Sequence, residues 1–193
     1  MTMNRTRKFA AAALAAAMSM ASIAGVARAE EADPYVVFPG SLGPVKVGMK
    51  VDEAVKALGS GWSYRGMMED NDMTCGHISR EGLWPDGSPY FMAQDGVVTR
   101  IEFSNASILT EKGIHVGSTE AEVLAAYGKQ VRAEPHQYQA APAQYLTVWF
   151  ENPPKEGDYA ESRTARGIKF ETNEQRVVTS IYAGDTSILY VEG

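Results

Sequence analysis

Apolar side chains follow a helical period in two short segments of the chain. Over Val51–Leu58 they recur at i, i+3, i+4 and i+7, which predicts an amphipathic helix that ends at Gly59. A second helix is predicted to begin at Thr119, because Thr119 and Glu122 have the spacing of a capping box, and to end at Gly128. We expect each helix to bury one face.

After each helix the pattern changes to alternation of apolar and polar positions, with many β-branched and aromatic residues. This period of two predicts antiparallel strands, and turn residues such as Gln94-Asp95-Gly96 separate them. The predicted strands are Trp62–Met67, Thr74–Ser79, Tyr90–Gln94 and Val97–Phe103 after the first helix, and Val131–Glu134, Tyr145–Phe150, Ile168–Thr172 and Val177–Tyr182 after the second.

The two parts are copies of one sequence unit. Residues 45–59 align without gaps on residues 114–128 with five identical positions, and residues 96–101 match residues 176–181 in the same order. The predicted fold class is α+β, with two tandem helix-plus-four-stranded antiparallel sheet repeats. Because one helix on a small sheet buries little apolar surface, we expect the copies to pack into one body.

The first 29 residues have the pattern of a secretory signal peptide. A basic start over residues 4–8 leads into an alanine-rich apolar stretch and then Ala27-Arg28-Ala29, which predicts cleavage after Ala29. The predicted organisation is a signal peptide over 1–29, an N-terminal extension over 30–42, repeat unit 1 over 43–110 and repeat unit 2 over 111–193. We expect an exported protein, periplasmic or secreted, without a transmembrane segment.

Charge and motif content exclude several classes of function. Removing residues 1–29 leaves 14 Lys+Arg and 24 Asp+Glu, a formal charge of about −10, and such acidity disfavours nucleic acid as a partner. One cysteine, Cys75, cannot form an internal disulfide or a thiolate zinc cluster. None of the motifs GxSxG, HExxH, GxGxxG and GxxxxGK[ST] occurs. We therefore expect a protein that is not an enzyme and uses no cofactor.

The helix starts resemble a known family. Gly117-Ser118-Thr119-Glu120-Ala121-Glu122-Val123, and less closely Gly48-Met49-Lys50-Val51-Asp52-Glu53-Ala54, resemble the helix start of the BamE-like (SmpA/OmlA) outer-membrane assembly lipoproteins. The tandem arrangement is similar to the β-lactamase inhibitor protein-like family, secreted proteins built from two helix-plus-four-strand units. The chain departs from both, because Lys50 replaces the family threonine and one cysteine cannot supply the inhibitor's disulfides. The resemblance implies a tandem fold and a protein-binding role.

An acidic turn, Glu69-Asp70-Asn71-Asp72, separates two predicted strands. In the inhibitor family a hairpin of the first unit carries an aspartate into the partner's active site, so the resemblance implies that Asp70 or Asp72 offers a carboxylate to a cationic pocket. A solvated turn is the alternative, because turns favour Asp and Asn. A calcium loop is disfavoured, because Cys75 stands where such a loop requires glycine, and no metal site is predicted.

Aromatic residues of the second copy form another candidate surface, namely His136, Tyr138, Tyr145 and Trp149. Alternation along one strand places Tyr145 and Trp149 on the face opposite Leu146, and the more apolar set around Leu146 is predicted to face the core. Aromatic rings with polar tips are favoured anchors of protein interfaces and of sugar-binding faces.

These features predict an exported, non-enzymatic binding protein. The leading hypothesis is an interaction or inhibitor-like module that grips another exported or periplasmic protein, one with a cationic pocket, through a sheet face and hairpin loops. One alternative is a lectin-like or cell-wall ligand binder that uses exposed aromatic residues on carbohydrate. Another is an envelope assembly scaffold that resembles BamE.

Overall fold

The computed structural model describes residues 36–69, 72–80, 89–155 and 161–190. The predicted signal peptide and its cleavage site lie outside the described residues. Described residues from position 36 onward belong to one compact unit. The elements, in chain order, are β1 (Val36–Phe38), β2 (Ser41–Leu42), β3 (Val45–Lys46), α1 (Val51–Leu58), β4 (Trp62–Gly66), β5 (Cys75–Arg80), β6 (Tyr90–Gln94), β7 (Val97–Phe103), β8 (Leu109–Thr110), α2 (Glu120–Tyr127), β9 (Val131–Pro135), β10 (Gln144–Glu151), β11 (Arg166–Thr172) and β12 (Val178–Gly184), with 3-10 helices at Gly128–Gln130 and Thr186–Leu189.

The two α-helices begin differently. In α2 the Thr119 side chain accepts a hydrogen bond from the Glu122 backbone N–H, and the Glu122 carboxylate accepts one from the Thr119 N–H at 2.6 Å, which completes the predicted capping box. Lys50 precedes α1 and makes no side-chain cap. Each helix buries its apolar side chains, including Val51 in α1 and Val123 in α2, against the same hydrophobic core.

Among the described residues, eight strands form one antiparallel sheet in the order β4-β5-β6-β7-β12-β11-β10-β9. The two halves of the chain meet where β7 pairs with β12, with Phe103 opposite Ile181 and Arg100 opposite Gly184. The helices cover one face of this sheet. The largest fully buried side chains are Phe91, Phe170, Ile78, Ile101 and Leu146.

A second, smaller sheet has the order β3-β2-β1-β8. Within it β1 pairs in parallel with β8, so that Val36 lies opposite Leu109. Residues of the predicted N-terminal extension thus form β1 and β2, and β1 pairs with β8 at the end of predicted repeat unit 1. This sheet packs against the main hydrophobic core through the buried side chains of Val37, Leu42 and Val45.

The structure corrects the predicted fold class. The prediction of α+β architecture with two tandem helix-plus-four-stranded antiparallel sheet repeats is wrong, because the described part of the chain is mostly β, with a main sheet of eight strands and a second sheet of four. The physical reason lies at β7 and β12. Left apart, each would expose a row of unpaired backbone groups along its edge, and their pairing removes both edges. The individual strands predicted from alternation do form, within two residues at each end.

No helix among the described residues is long and apolar enough to cross a membrane.

Candidate functional site

The face of the eight-stranded sheet opposite α1 and α2, which we call the open face, carries a continuous set of polar and aromatic side chains. Successive residues of a strand point to opposite faces, so the residues between the core positions of each strand meet on this side. In β11, for example, Ile168 and Phe170 enter the core while Lys169 and Glu171 lie on the open face.

One row of side chains crosses five neighbouring strands in register. Tyr90 pairs with Glu102, Glu102 with Tyr182, Tyr182 with Lys169, and Lys169 with Thr147. We call these five residues the polar band. Because directly opposite residues in a sheet have Cβ atoms about 5 Å apart, each member contacts the next and the band spans both copies of the repeat.

On the side of the first copy, the band is organised by a buried ion pair. Both Nε and a terminal nitrogen of Arg100 lie 2.7 Å from Glu102 Oε1, and both side chains are buried. Tyr90 hydrogen bonds to the same carboxylate. His77 adds an edge contact with the Tyr90 ring, at 5.1 Å between centroids, and its Nε2 lies 3.9 Å from Glu102 Oε1. Glu102 is thus held between three partners, as a buried carboxylate requires.

On the side of the second copy, Lys169 is held among aromatic rings although only 4% of its surface is exposed. Its ammonium group lies 4.0 Å from the centroid of the Tyr145 ring and 5.9 Å from that of Tyr182. Glu171, two residues along the strand, hydrogen bonds to Tyr182. The rings and the carboxylate together stabilise a cation that would otherwise be costly to bury.

Burial shifts the ionisation of several groups on this face. Burial raises the pKa of Glu171, with the nearby Lys169 acting in the opposite direction. Burial also lowers the pKa of His77, against the attraction of Glu102. The pKa values of Tyr90 and Tyr182 are raised, again mainly by burial. Several perturbed groups in one surface patch are typical of a functional site, although ion-pair networks that serve stability also perturb pKa values.

The row next to the polar band is covered by the C-terminal 3-10 helix. Gly184 and Gly167 lie opposite each other, and Trp149 follows in register, so two positions without side chains leave a depression. Ile188 fills it and packs with Trp149. The Arg100 guanidinium donates a 2.8 Å hydrogen bond to the Ser187 carbonyl, which ties this segment to the ion pair of the band.

The four aromatic residues predicted for binding take different positions. Tyr145 is half-buried on the open face, and its ring stacks on that of His136 at 4.4 Å between centroids. Tyr138 is 65% exposed in the loop between β9 and β10. Trp149 also lies on the open face, but it is only 9% exposed because the C-terminal 3-10 helix covers it. Three of the four therefore form one accessible end of the face.

The acidic turn lies at the far end of the same sheet, between β4 and β5. Asp70 lies outside the described residues. Glu69 is exposed, whereas the Asp72 carboxylate accepts a 2.9 Å hydrogen bond from the Thr74 N–H and the Asp72 carbonyl accepts one from the Tyr64 hydroxyl. Asp72 thus shapes the turn through its own side chain, which is what turn aspartates commonly do. The structure does not bring this turn together with the aromatic end of the face.

Most residues of the polar band were not among the sequence candidates. A signal for them was present, because Arg100 and Glu102 alternate with apolar residues inside one strand and Lys169 and Glu171 do the same in another. Charged residues within otherwise apolar strands indicate a sheet face that is not core. Their mutual register depends on the pairing of β7 with β12, which the sequence pattern does not specify.

Within the described ranges, no three residues drawn from His, Cys, Asp and Glu lie close enough to hold a metal ion. Comparison with protein-family models, with curated proteins and with solved structures finds no match.

Proposed function

We propose that this chain is an exported, non-enzymatic protein-binding module whose partner docks on the open face. The polar band supports this proposal, because it crosses five strands in register and its buried Glu102 and Lys169 hold the accessible rings of Tyr90 and Tyr145 in place. Tyrosine residues are enriched at the energetic centres of protein interfaces. Cross-strand pairing also fixes their positions, so little conformational entropy is lost when a partner binds.

The accessible part of this surface lies above the buried charges. His136 and Tyr145 form a stacked pair at one end, and Tyr90 and His77 form an edge-to-face pair nearer the other. The buried Lys169 and Glu102 hold these rings in place from below. We infer that a partner contacts the rings, while the buried charges position them.

Charge indicates the kind of partner. The chain after residue 29 carries 24 acidic and 14 basic residues, so its field attracts a cationic surface and repels an acidic one. We propose a basic exported protein as the partner, and its association rate should fall with added salt. An acidic turn that includes the exposed Glu69 would add to this attraction.

The test is capture of a partner from extracytoplasmic extract by the immobilised mature chain, repeated with two variants. Tyr145→Ala removes a ring at the centre of the accessible end, whereas Leu124→Ala removes an exposed side chain from α2 on the opposite side of the sheet. The proposal predicts one basic protein that is retained by the native chain and by Leu124→Ala, and is lost with Tyr145→Ala. Recovery of no protein, or equal recovery with both variants, would contradict it.

A carbohydrate is the second candidate ligand, because the exposed Tyr138 and the His136–Tyr145 stack offer ring faces of the kind that bind sugars. Tryptophan fluorescence titrated with cell-wall saccharides distinguishes the two proposals. A saturable change that Tyr145→Ala abolishes would favour the lectin-like function. A flat response would exclude the tested saccharides as ligands reported by tryptophan.

Export remains part of the proposal, and the mature N-terminus tests it. We expect the protein recovered from the extracytoplasmic fraction to begin at Glu30. Recovery of the uncleaved chain in the cytoplasm would contradict export. Firm retention in the outer membrane would instead favour an envelope scaffold that resembles BamE.

A further inference from the structure

The loop between β9 and β10 folds back on the side chain of its first residue, His136. The loop spans residues 136–143, and the His136 N–H donates a 3.0 Å hydrogen bond to the Ala143 carbonyl, which closes its base. The backbone N–H groups of Tyr138 and Gln139 both donate to His136 Nδ1, at 3.1 and 3.2 Å. An imidazole nitrogen thus accepts the hydrogen bonds that hold this turn.

These two contacts fix the protonation state of the ring. A ring nitrogen accepts a hydrogen bond only while it carries no proton, and a neutral imidazole has one such nitrogen. With Nδ1 of His136 as the acceptor, the ring proton lies on Nε2, and the Gln139 side-chain amide is 3.4 Å from that atom. A second proton has only Nδ1 to bind, and there it would point at two N–H donors. The closed turn and the charged ring are therefore incompatible.

His115 has the opposite arrangement. Its Nδ1 lies 2.8 Å from the Val116 carbonyl oxygen, so Nδ1 carries the ring proton and donates it. When this ring takes up a second proton at Nε2, its bond to Val116 is kept. Protonation should therefore break hydrogen bonds at His136 but not at His115.

The groups around the His136 ring favour a second position for its charged form. The ring stacks on Tyr145 at 4.4 Å between centroids, and the Glu171 carboxylate on β11 interacts electrostatically with it. Glu134 lies opposite Tyr145 in the sheet, on the same face. Lys169, whose ammonium group is 4.0 Å from the centroid of the Tyr145 ring, acts against these carboxylates. Two carboxylates and one ammonium group together favour a charged ring that turns from the loop toward the sheet.

We propose that His136 is a pH-sensitive switch that opens and closes the β9–β10 loop. At neutral pH its Nδ1 binds the N–H groups of Tyr138 and Gln139 and keeps the turn closed. In mildly acidic solution, where histidine takes up a proton, both hydrogen bonds break and the turn opens. Tyr138, which is 65% exposed, then no longer has a fixed backbone position. Acid thus rearranges the accessible end of the open face, whatever ligand binds there.

The test is 1H–15N NMR spectroscopy of the purified mature chain between about pH 8 and about pH 5. We expect the amide proton resonances of Tyr138 and Gln139 to move upfield together as pH falls, with the same midpoint as the titration of the His136 ring nitrogens. His115→Gln is the control, and in it these two resonances should titrate as in the native chain. No binding partner is added, so the result does not depend on the proposed function.

Two substitutions at position 136 distinguish this switch from a general effect of charge. His136→Asn supplies a side-chain oxygen that accepts from the N–H two residues further on and does not titrate, so the Tyr138 resonance should stay downfield at every pH. His136→Phe keeps a ring that can stack on Tyr145 but offers no acceptor, so the Tyr138 and Gln139 resonances should lie upfield at every pH. Circular dichroism should show that both variants retain the fold.

The proposal is overturned if the native Tyr138 and Gln139 resonances stay in place while the His136 ring titrates. It is equally overturned if His136→Phe retains the native pH response, because that response would then not come from the imidazole.

Discussion

Single side chains distinguish the two copies of the sequence unit where their helices begin. Thr119 and Glu122 satisfy each other's backbone N–H groups at the start of α2, whereas Lys50 offers no acceptor at the start of α1. The two backbone N–H groups bound in this way are among the four that each helix start leaves unsatisfied. The same local fold is therefore stabilised unequally in the two halves of the molecule.

Thr119→Ala should lower the free energy of unfolding by about 1 kcal/mol, the usual cost of removing an N-cap acceptor. Lys50→Thr should raise it by a few tenths of a kcal/mol to about 1 kcal/mol, because it introduces the missing acceptor. Urea denaturation followed by circular dichroism measures both changes. Equal and small effects in the two variants would show that the capping box contributes nothing.

Glu171, which hydrogen bonds to Tyr182 of the polar band, allows a test based on the pH dependence of stability. Its pKa in the folded protein lies above the ordinary carboxyl value, so it stabilises the fold when protonated; that contribution is complete below the ordinary value near 4.5 and is lost as pH rises through the raised pKa. Glu171→Gln should therefore gain stability relative to the native chain between pH 4 and pH 7. Glu174→Gln, in an exposed turn, is the control. If the stability of both variants depended on pH in the same way, the raised pKa of Glu171 would be contradicted.

Among the elements, the C-terminal 3-10 helix covers the part of the open face where two glycines leave space for it. A Cβ atom at Gly167 would lie 2.6 Å from Trp149 Cε3 and 3.0 Å from Ile188 Cδ1. The glycine is thus required by close packing and not by its backbone conformation. This packing removes Trp149 from the accessible surface.

Gly167→Ala should destabilise the protein by roughly 1–3 kcal/mol, the usual cost of overpacking a core. Ile188→Ala creates space at the same place, so the double variant should recover part of the loss and show a coupling energy in a double-mutant cycle. Thermal or urea unfolding measures the four free energies. Additive effects would show that the 3-10 helix does not pack on this glycine.

For the whole molecule, the pairing of β7 with β12 decides the architecture, because it turns two sets of four strands into one sheet. It also brings Glu102 of the first half beside Tyr182 of the second and so completes the polar band. The proposed binding surface spans both copies and therefore exists only when the halves are joined.

Residues 30–110 and 111–193, expressed separately, should each fail to unfold cooperatively, since each would expose an edge strand and part of the shared core. Circular dichroism during urea titration measures this. A cooperative transition in either fragment alone would show that one copy is an independent domain.

The sequence predicts local structure in this chain much better than it predicts assembly. Apolar periodicity locates both helices, and the Asp95-Gly96 pair, with positive φ at both residues, forms the expected two-residue turn between β6 and β7. The pairing of β7 with β12 and the parallel pairing of β1 with β8 join segments that are far apart in the sequence. A period-two pattern shows that a segment is a strand, but it does not show which distant strand it pairs with. The fold class was therefore wrong although its strands were placed well.

In the candidate site, too, features of a single strand could be predicted and features that depend on distant residues could not. Alternation correctly separates Tyr145 and Trp149 from Leu146, because the two faces of one strand are a local property. The burial of Trp149 could not be predicted, since it depends on Ile188, which is 39 positions further along the chain. Lys169 and Glu102 were missed because charged residues are seldom buried, and here aromatic rings and an ion pair make their burial possible.

The claim that the open face binds a partner is tested most directly by site-specific photo-crosslinking in the exporting cell. A photoreactive phenylalanine analogue replaces Tyr145 on the open face in one strain and the exposed Leu124 on α2 in another. We expect a discrete protein adduct at position 145 and none at position 124. Absence of an adduct at position 145, or the same adduct at both positions, would contradict it.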